Sequence, residues 1–245
     1  MTAEQVVVSL VAVLAGSLVK SISGMGLPLV AIPLISLVAG IDDAVAVTAL
    51  PNLALNGSLA WRERSQWRAT RDLPVLGAFA AVGAVIGTVV LVSVPEEPLI
   101  ALLIAVVVAY VVLYFASPSF SVGPRASRRA APAVGAAAGF MQGAVGISGP
   151  IVAPWCHSYR LERRAYILSI TVLFTFASMT QFPTLVIGGE LSGRWVAAVL
   201  ACVPALLTIP VGARLRARLS SEHFDQFIIG VLALSAVALA VRTFA

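Results

Sequence analysis

Two short segments of this 245-residue chain carry residues that could hold an anion. Ser23-Gly24-Met25-Gly26-Leu27-Pro28 interrupts one apolar stretch, and Val145-Gly146-Ile147-Ser148-Gly149-Pro150 interrupts another about half the chain later. Each continues as an apolar-Val-Ala tripeptide with a proline close behind, Pro33 or Pro154. A helix starting near Pro28 or Pro150 has proline in its favoured first turn. Its unpaired N–H groups and positive dipole end then face the break, where they attract negative charge. The glycines Gly24, Gly26, Gly146 and Gly149 let backbone approach closely, and Ser21, Ser23 and Ser148 add hydroxyl donors at the same level. The competing reading is that these small residues only permit close helix crossing; two copies in register, each followed by proline, favour the site.

Lys20 adds a charge. It is the only basic residue deep in an apolar segment, and an ionisable side chain at such depth points to function. Aligning Gly24 with Gly146 pairs Lys20 with Gln142, and a cation facing an amide suits an anion. Snorkelling of Lys20 to the nearer interface is the alternative. Further polar residues interrupt the apolar segments that follow: Asn52 and Asn56, four apart on one helix face, and Thr171, Thr175 and Gln181 in the later half, with Pro51 and Pro183 bending those segments. They line the same cavity or serve as interhelical hydrogen-bond partners.

Other chemistries fit less well. Gly146-Ile147-Ser148-Gly149 matches the GxSG pattern of rhomboid-type intramembrane serine proteases, in which a histidine on another helix activates the serine. His157 stands only nine residues on, and His223 lies beside the basic run Arg214–Arg218. Neither suits a base packed against Ser148, so protease is a remote alternative and no catalytic residue is expected. Cys156 and Cys202 form no CxxC pair, so neither a disulfide framework nor a metal site is expected, and no cofactor is implied. No Asp or Glu lies in the middle of an apolar segment; Asp42, Asp43, His157 and Lys20 are the titratable groups near the breaks, and a coupling proton or ion stays open.

The elements that must position these residues are membrane helices. Hydrophobic residues make up 60% of the chain and charged residues 11%, with mean hydropathy +1.00, far from the roughly quarter-charged make-up of soluble domains. Apolar runs of about 20 residues, enough for a roughly 30 Å hydrocarbon core, recur throughout. The N-terminus has Glu4 and no basic residue before the first run, so it lacks the basic leader of a cleavable signal peptide.

Of sixteen Lys and Arg residues, thirteen fall in four short segments. These are Arg62, Arg64, Arg68 and Arg71; Arg125, Arg128 and Arg129; Arg160, Arg163 and Arg164; and Arg214, Arg216 and Arg218. The positive-inside rule makes them cytoplasmic. Asp42-Asp43, Pro95–Pro98 and Gly188–Glu190 are then external. The net charge of +5 reflects orientation in a lipid bilayer, whose anionic lipids a basic rim attracts, and nucleic acid is not an expected partner.

Full spans are predicted at 44–61, 73–94, 98–116, 165–187, 195–211 and 224–243. That leaves two broken hairpins, 5–40 and 133–157, each with both ends on one side. The fold expected is an all-α polytopic membrane protein with an inverted-topology repeat, each half a Gly/Pro-broken hairpin plus three spans. Residues 1–116 form the first repeat, 117–132 a cytoplasmic linker and 133–245 the second repeat, with both termini outside. Paired helix breaks in corresponding halves of such a protein point to a central substrate site.

A Gly-rich, Pro-ended hairpin occurring twice, each followed by a polar-kinked span and a basic loop, resembles the TauE/SafE-type sulfite exporter family, also called the 4-toluene sulfonate uptake permease family. The resemblance runs from Leu14 to Arg242. It rests on Gly24–Pro28 and Gly146–Pro150, with Gly83 and Gly87 in one tail and Gly212-Ala213-Arg214-Leu215 in the other. It implies a bacterial inner-membrane carrier of sulfite, a sulfonate or another small sulfur-containing anion. Both glycine runs are interrupted here, by Met25 and by Ile147-Ser148. The function expected is secondary transport of a small anion by alternating access around a midplane site; an anion channel is the alternative, and a homo-oligomer stays open.

Overall fold

The computed structural model describes residues 1–116, 121–216, 236–241 and 243, and no strand occurs among them. Helix α1 (Ala3–Ser23) starts on a capping box. The Thr2 hydroxyl accepts from the Gln5 N–H at 3.2 Å, and the Gln5 side chain accepts from the Thr2 N–H at 2.9 Å, satisfying first-turn donors that the helix leaves unpaired. It stops at Gly24, whose φ of 90° is left-handed and disfavoured for residues with a Cβ. Then come α2 (Leu27–Ala39), α3 (Ile41–Glu63), a 3-10 turn (Arg64–Ala69), α4 (Leu73–Ser93) and α5 (Glu96–Ala116). The second half repeats this order: α6 (Pro124–Val145), stopping at left-handed Gly146, then α7 (Gly149–Ser158), α8 (Arg163–Ile187) and α9 (Trp195–Arg216). Residues 236–241 are again helical.

The predicted spans 44–61, 73–94, 98–116, 165–187 and 195–211 fall on α3, α4, α5, α8 and α9. Most of span 224–243, together with Arg218, His223 and the C-terminal residue, lies outside the described residues. Helix α6 begins at Pro124, inside the stretch 117–132 expected as the linker and nine residues before the expected hairpin start at 133. Gly123 is an extended N-cap and Pro124 occupies the first turn, so Arg125, Arg128 and Arg129 ride on the opening turns of a helix.

Five described helices are long and apolar enough to cross a membrane: α1, α4, α5, α8 and α9. Helix α3 is as long but less apolar, since it carries Asp42, Asp43, Asn52 and Asn56; both asparagines are buried against neighbouring helices. Large apolar side chains such as Ile86, Val112, Val196 and Leu207 lie on the outside, a surface suited to lipid. Helices α2 and α7 have 13 and 10 residues, about 20 and 15 Å at 1.5 Å per residue, too short for the core. Each hairpin therefore joins one full-length helix to one half-length helix.

Each hairpin closes on itself. Gln5 Nε2 donates to the Val38 carbonyl at 3.0 Å, and the Val122 N–H donates to the Ser158 carbonyl at 3.4 Å. The two open at opposite ends of the molecule, with α3 running between those ends. At its start the Ile41 N–H donates to the Glu96 carboxylate at 3.1 Å and Asp43 pairs with Arg194. At its finish Glu63 pairs with Arg164 at 2.8 Å. In the packing, α4 lies along α6 and α1 along α9; α4 touches α8 as α9 touches α3; and α3 packs on α8. Exchanging the halves leaves this scheme unchanged.

Close backbone approach holds the first of these pairs. A Cβ on Gly83 would lie 2.8 Å from Phe140 N, one on Gly87 2.8 Å from Ala144 N, and one on Gly143 2.6 Å from Thr88 N. The tail glycines singled out in the sequence are thus packing residues. Gly212 does the same for α9, where a Cβ would lie 2.8 Å from the Ser21 backbone of α1.

Candidate functional site

The two helix breaks meet at one cavity of about 20 Å³, room for little more than one water-sized group. From the first half it is lined by Lys20, Met25, Gly26, Pro28, Leu29 and Asn52. From the second half come Gln142, Gly146, Ile147, Ser148, Gly149 and Phe174. The sequence places both breaks together for a local reason. Gly24 and Gly146 each end a helix in the left-handed conformation, their N–H groups donating to the carbonyls of Lys20 (2.7 Å) and Gln142 (2.9 Å). The same cap thus sets Lys20 and Gln142 one turn before each break. A short helix then restarts with proline in its first turn, and its N-terminal end faces the cavity.

Lys20 is 1% exposed, so it does not snorkel. Its Nζ donates to Asn52 Oδ1 at 3.0 Å and lies 4.8 Å from the centre of the Phe174 ring, a cation–π contact. Among the described residues no carboxylate pairs with it. Asn52 Oδ1 also accepts from Asn56 Nδ2 at 3.2 Å, and Asn52 Nδ2 donates to Ser178 Oγ at 3.4 Å. An ammonium so deeply buried calls for a compensating negative charge, and the cavity is the place where one can reach it.

The second half contributes an amide pair. Ser148 Oγ donates to Gln142 Oε1 at 3.0 Å, Gln142 Nε2 donates to Gln181 Oε1 at 3.2 Å, and Gln181 Nε2 donates to the Gln142 carbonyl at 2.7 Å. Corresponding helices thus play corresponding roles: Lys20 of α1 is held by α3, and Gln142 of α6 by α8.

Several expected site residues lie elsewhere. Ser21 shares a hydrogen bond of 3.1 Å with Thr208 and ties α1 to α9. The Ser23 hydroxyl bonds the backbone of Val19 and Met25, stapling the turn. Thr171 and Thr175 bond carbonyls of their own helix, at 2.7 Å each to Ile167 and Thr171, and do not line the cavity. In an apolar surrounding a threonine hydroxyl finds its nearest acceptor one turn back along its own helix. Asn56 stands behind Asn52, and Gly24 and Pro150 flank the lining without joining it. Two α8 residues reach the site's polar network, Ser178 and Gln181, and Gln181 was legible as a long amide inside an apolar run. Phe174 and Ser178 carry no such signal.

Replacing Ser21 by Ala is expected to lower thermal stability by about 1 kcal/mol, the worth of an ordinary hydrogen bond, while anion affinity in a titration of purified protein changes by less than about twofold.

The protease arrangement finds no support at Ser148, whose hydroxyl proton goes to an amide oxygen that cannot act as a base. His157 is exposed on the last turn of α7. No group of three or more metal-ligating side chains occurs among the described residues.

Compared with known proteins, the chain matches the profile of the family described as Sulfite exporter TauE/SafE over residues 8–239. No curated protein and no solved structure matches it.

Proposed function

Since the chain belongs to the TauE/SafE sulfite exporter family, and so to multi-pass membrane transport proteins, we propose that it carries a small sulfur-containing anion, sulfite or a sulfonate, bound between the two hairpin breaks. The observation that carries this reading is Lys20: a buried cation without a carboxylate partner among the described residues, beside two helix N-termini that share its cavity. The hairpins opening at opposite ends, and the packing that survives exchange of the halves, support an inverted-topology repeat. The arginine-rich end is the cytoplasmic face of a bacterial inner membrane, which puts the N-terminus outside.

Access alternates between the faces. An enclosed cavity of about 20 Å³ suits an occluded site that opens to each side in turn, as in a carrier. Counterflow in proteoliposomes tests this: sulfite loaded on the far side is expected to accelerate uptake of labelled sulfite several-fold. Equal rates with and without loading would assign a channel.

A further inference from the structure

One atom fixes the direction of every hydrogen bond behind Ser148. The backbone carbonyl of Gln142 can only accept, and the Gln181 side-chain amide lies 2.7 Å from it, so the nitrogen of that amide faces the carbonyl. Gln181 Oε1 then meets Gln142 Nε2 at 3.2 Å, which turns Gln142 Oε1 toward Ser148, 3.0 Å away. An amide oxygen donates nothing, so Ser148 must donate to it. The single hydroxyl proton is therefore committed. Ser148 is the N-cap of α7 yet accepts no capping hydrogen bond from its own helix. At 3% exposure and on the cavity wall, it offers a ligand lone pairs only.

Lys20, which lines the same cavity, has the opposite character. The Lys20 ammonium has three hydrogens, one of them on Asn52. A ligand in this cavity meets the Lys20 charge and the two helix N-termini as donors, and the Ser148 oxygen as an acceptor. An anion with no proton to give would set oxygen against the Ser148 lone pairs, and one ending in a methyl group would leave them buried and unmatched; both are unfavourable.

We infer that the site selects a monoanion that still carries a hydrogen-bond donor, with the Ser148 hydroxyl accepting from it. The donor is the protonated oxygen of a dibasic oxyacid or the hydroxyl of a sulfonate. This rests on the anion-site reading above and adds a requirement to it. Gln181, which touches no ligand, is the positioning residue.

Hydroxyethanesulfonate and propanesulfonate have the same shape and charge and differ by OH against CH3, so their affinities for the purified full chain give the test. The wild-type protein is expected to bind the hydroxyl ligand about five- to tenfold more tightly, the worth of one matched hydrogen bond. Ser148→Ala is expected to remove that preference by weakening the hydroxyl ligand alone. Gln181→Leu, which frees the Gln142 amide to turn over, is expected to diminish the preference while propanesulfonate still binds. The wild-type comparison needs no variant. Equal affinities for the two sulfonates, with binding of both lost in Lys20→Met, would overturn this inference and leave the anion site standing. Failure of both sulfonates and of hydrogensulfite to bind would overturn the anion site and this inference with it. Competition of hydrogensulfite against labelled hydroxyethanesulfonate ranks the two sources of the donor, and displacement in either order supports the inference.

Discussion

Lys20→Met is expected to abolish anion binding and transport while leaving the fold intact. The side chain supplies a full charge and charge-assisted hydrogen bonds, worth about 1.5–3 kcal/mol each where the partner is charged. Together with the Coulomb attraction at an effective dielectric near 20, the loss is on the order of 3–4 kcal/mol. That corresponds to roughly a hundred- to a thousandfold in affinity. Methionine keeps most of the stem's volume and removes a charge that burial penalises, so the melting temperature without ligand should hold or rise. Sulfite-dependent thermal stabilisation and calorimetric titration read the two effects separately. Lys20→Arg is expected to restore binding only in part: the charge is kept, but a planar five-donor fork does not reproduce the single ammonium contact with Asn52. Unchanged affinity in Lys20→Met would remove this residue from the site.

The second large effect concerns folding. Gly139 of α6 lies against α4 so closely that an added Cβ would sit 2.6 Å from the carbonyl carbon of Ala80 and 2.7 Å from its Cα. The obstacle is backbone, which cannot rotate aside as a side chain would. Gly139→Val must therefore push apart helices joined along their length, at a cost above the usual overpacking range of about 1–3 kcal/mol. Loss of monodisperse protein after detergent extraction is the expected result. Gly123→Ala, where a Cβ would meet nothing within 4 Å, is the control and should behave as wild type. A Gly139→Val protein of normal yield and melting temperature would show that the α4–α6 contact does not limit stability.

The order of helices was legible because it depends on properties that repeat: apolar length, basic turns and two similar glycine-proline breaks. Those breaks specify their own geometry, since a glycine at each helix end and a proline at each restart leave the backbone few choices. The cation stood out as the only basic residue deep in an apolar segment, and aligning Gly24 with Gly146 gave its amide counterpart. Legibility failed where a side chain had to choose between partners. Thr171 and Thr175 read as candidates by polarity alone, yet their hydroxyls turn to their own helix; Ser21 turns to α9. Phe174 reads as one apolar residue among many and becomes part of the site only because α8 crosses beside Lys20. The start of α6 was missed because its basic opening turns, Arg125 to Arg129, look like a loop when composition is the guide.

The two ends of α3 are fastened by ion pairs of unequal shelter. At the arginine-rich end Glu63 meets a single Arg164 whose side chain is 61% exposed. At the acidic end Arg194, 21% exposed, is gripped by both Asp43 and Glu190. Dissolved salt weakens exposed pairs and hardly touches enclosed ones. Ionic strength is therefore a one-sided reagent for this protein: it loosens the contact between the end of α3 and the start of α8 and leaves the opposite fastening in place.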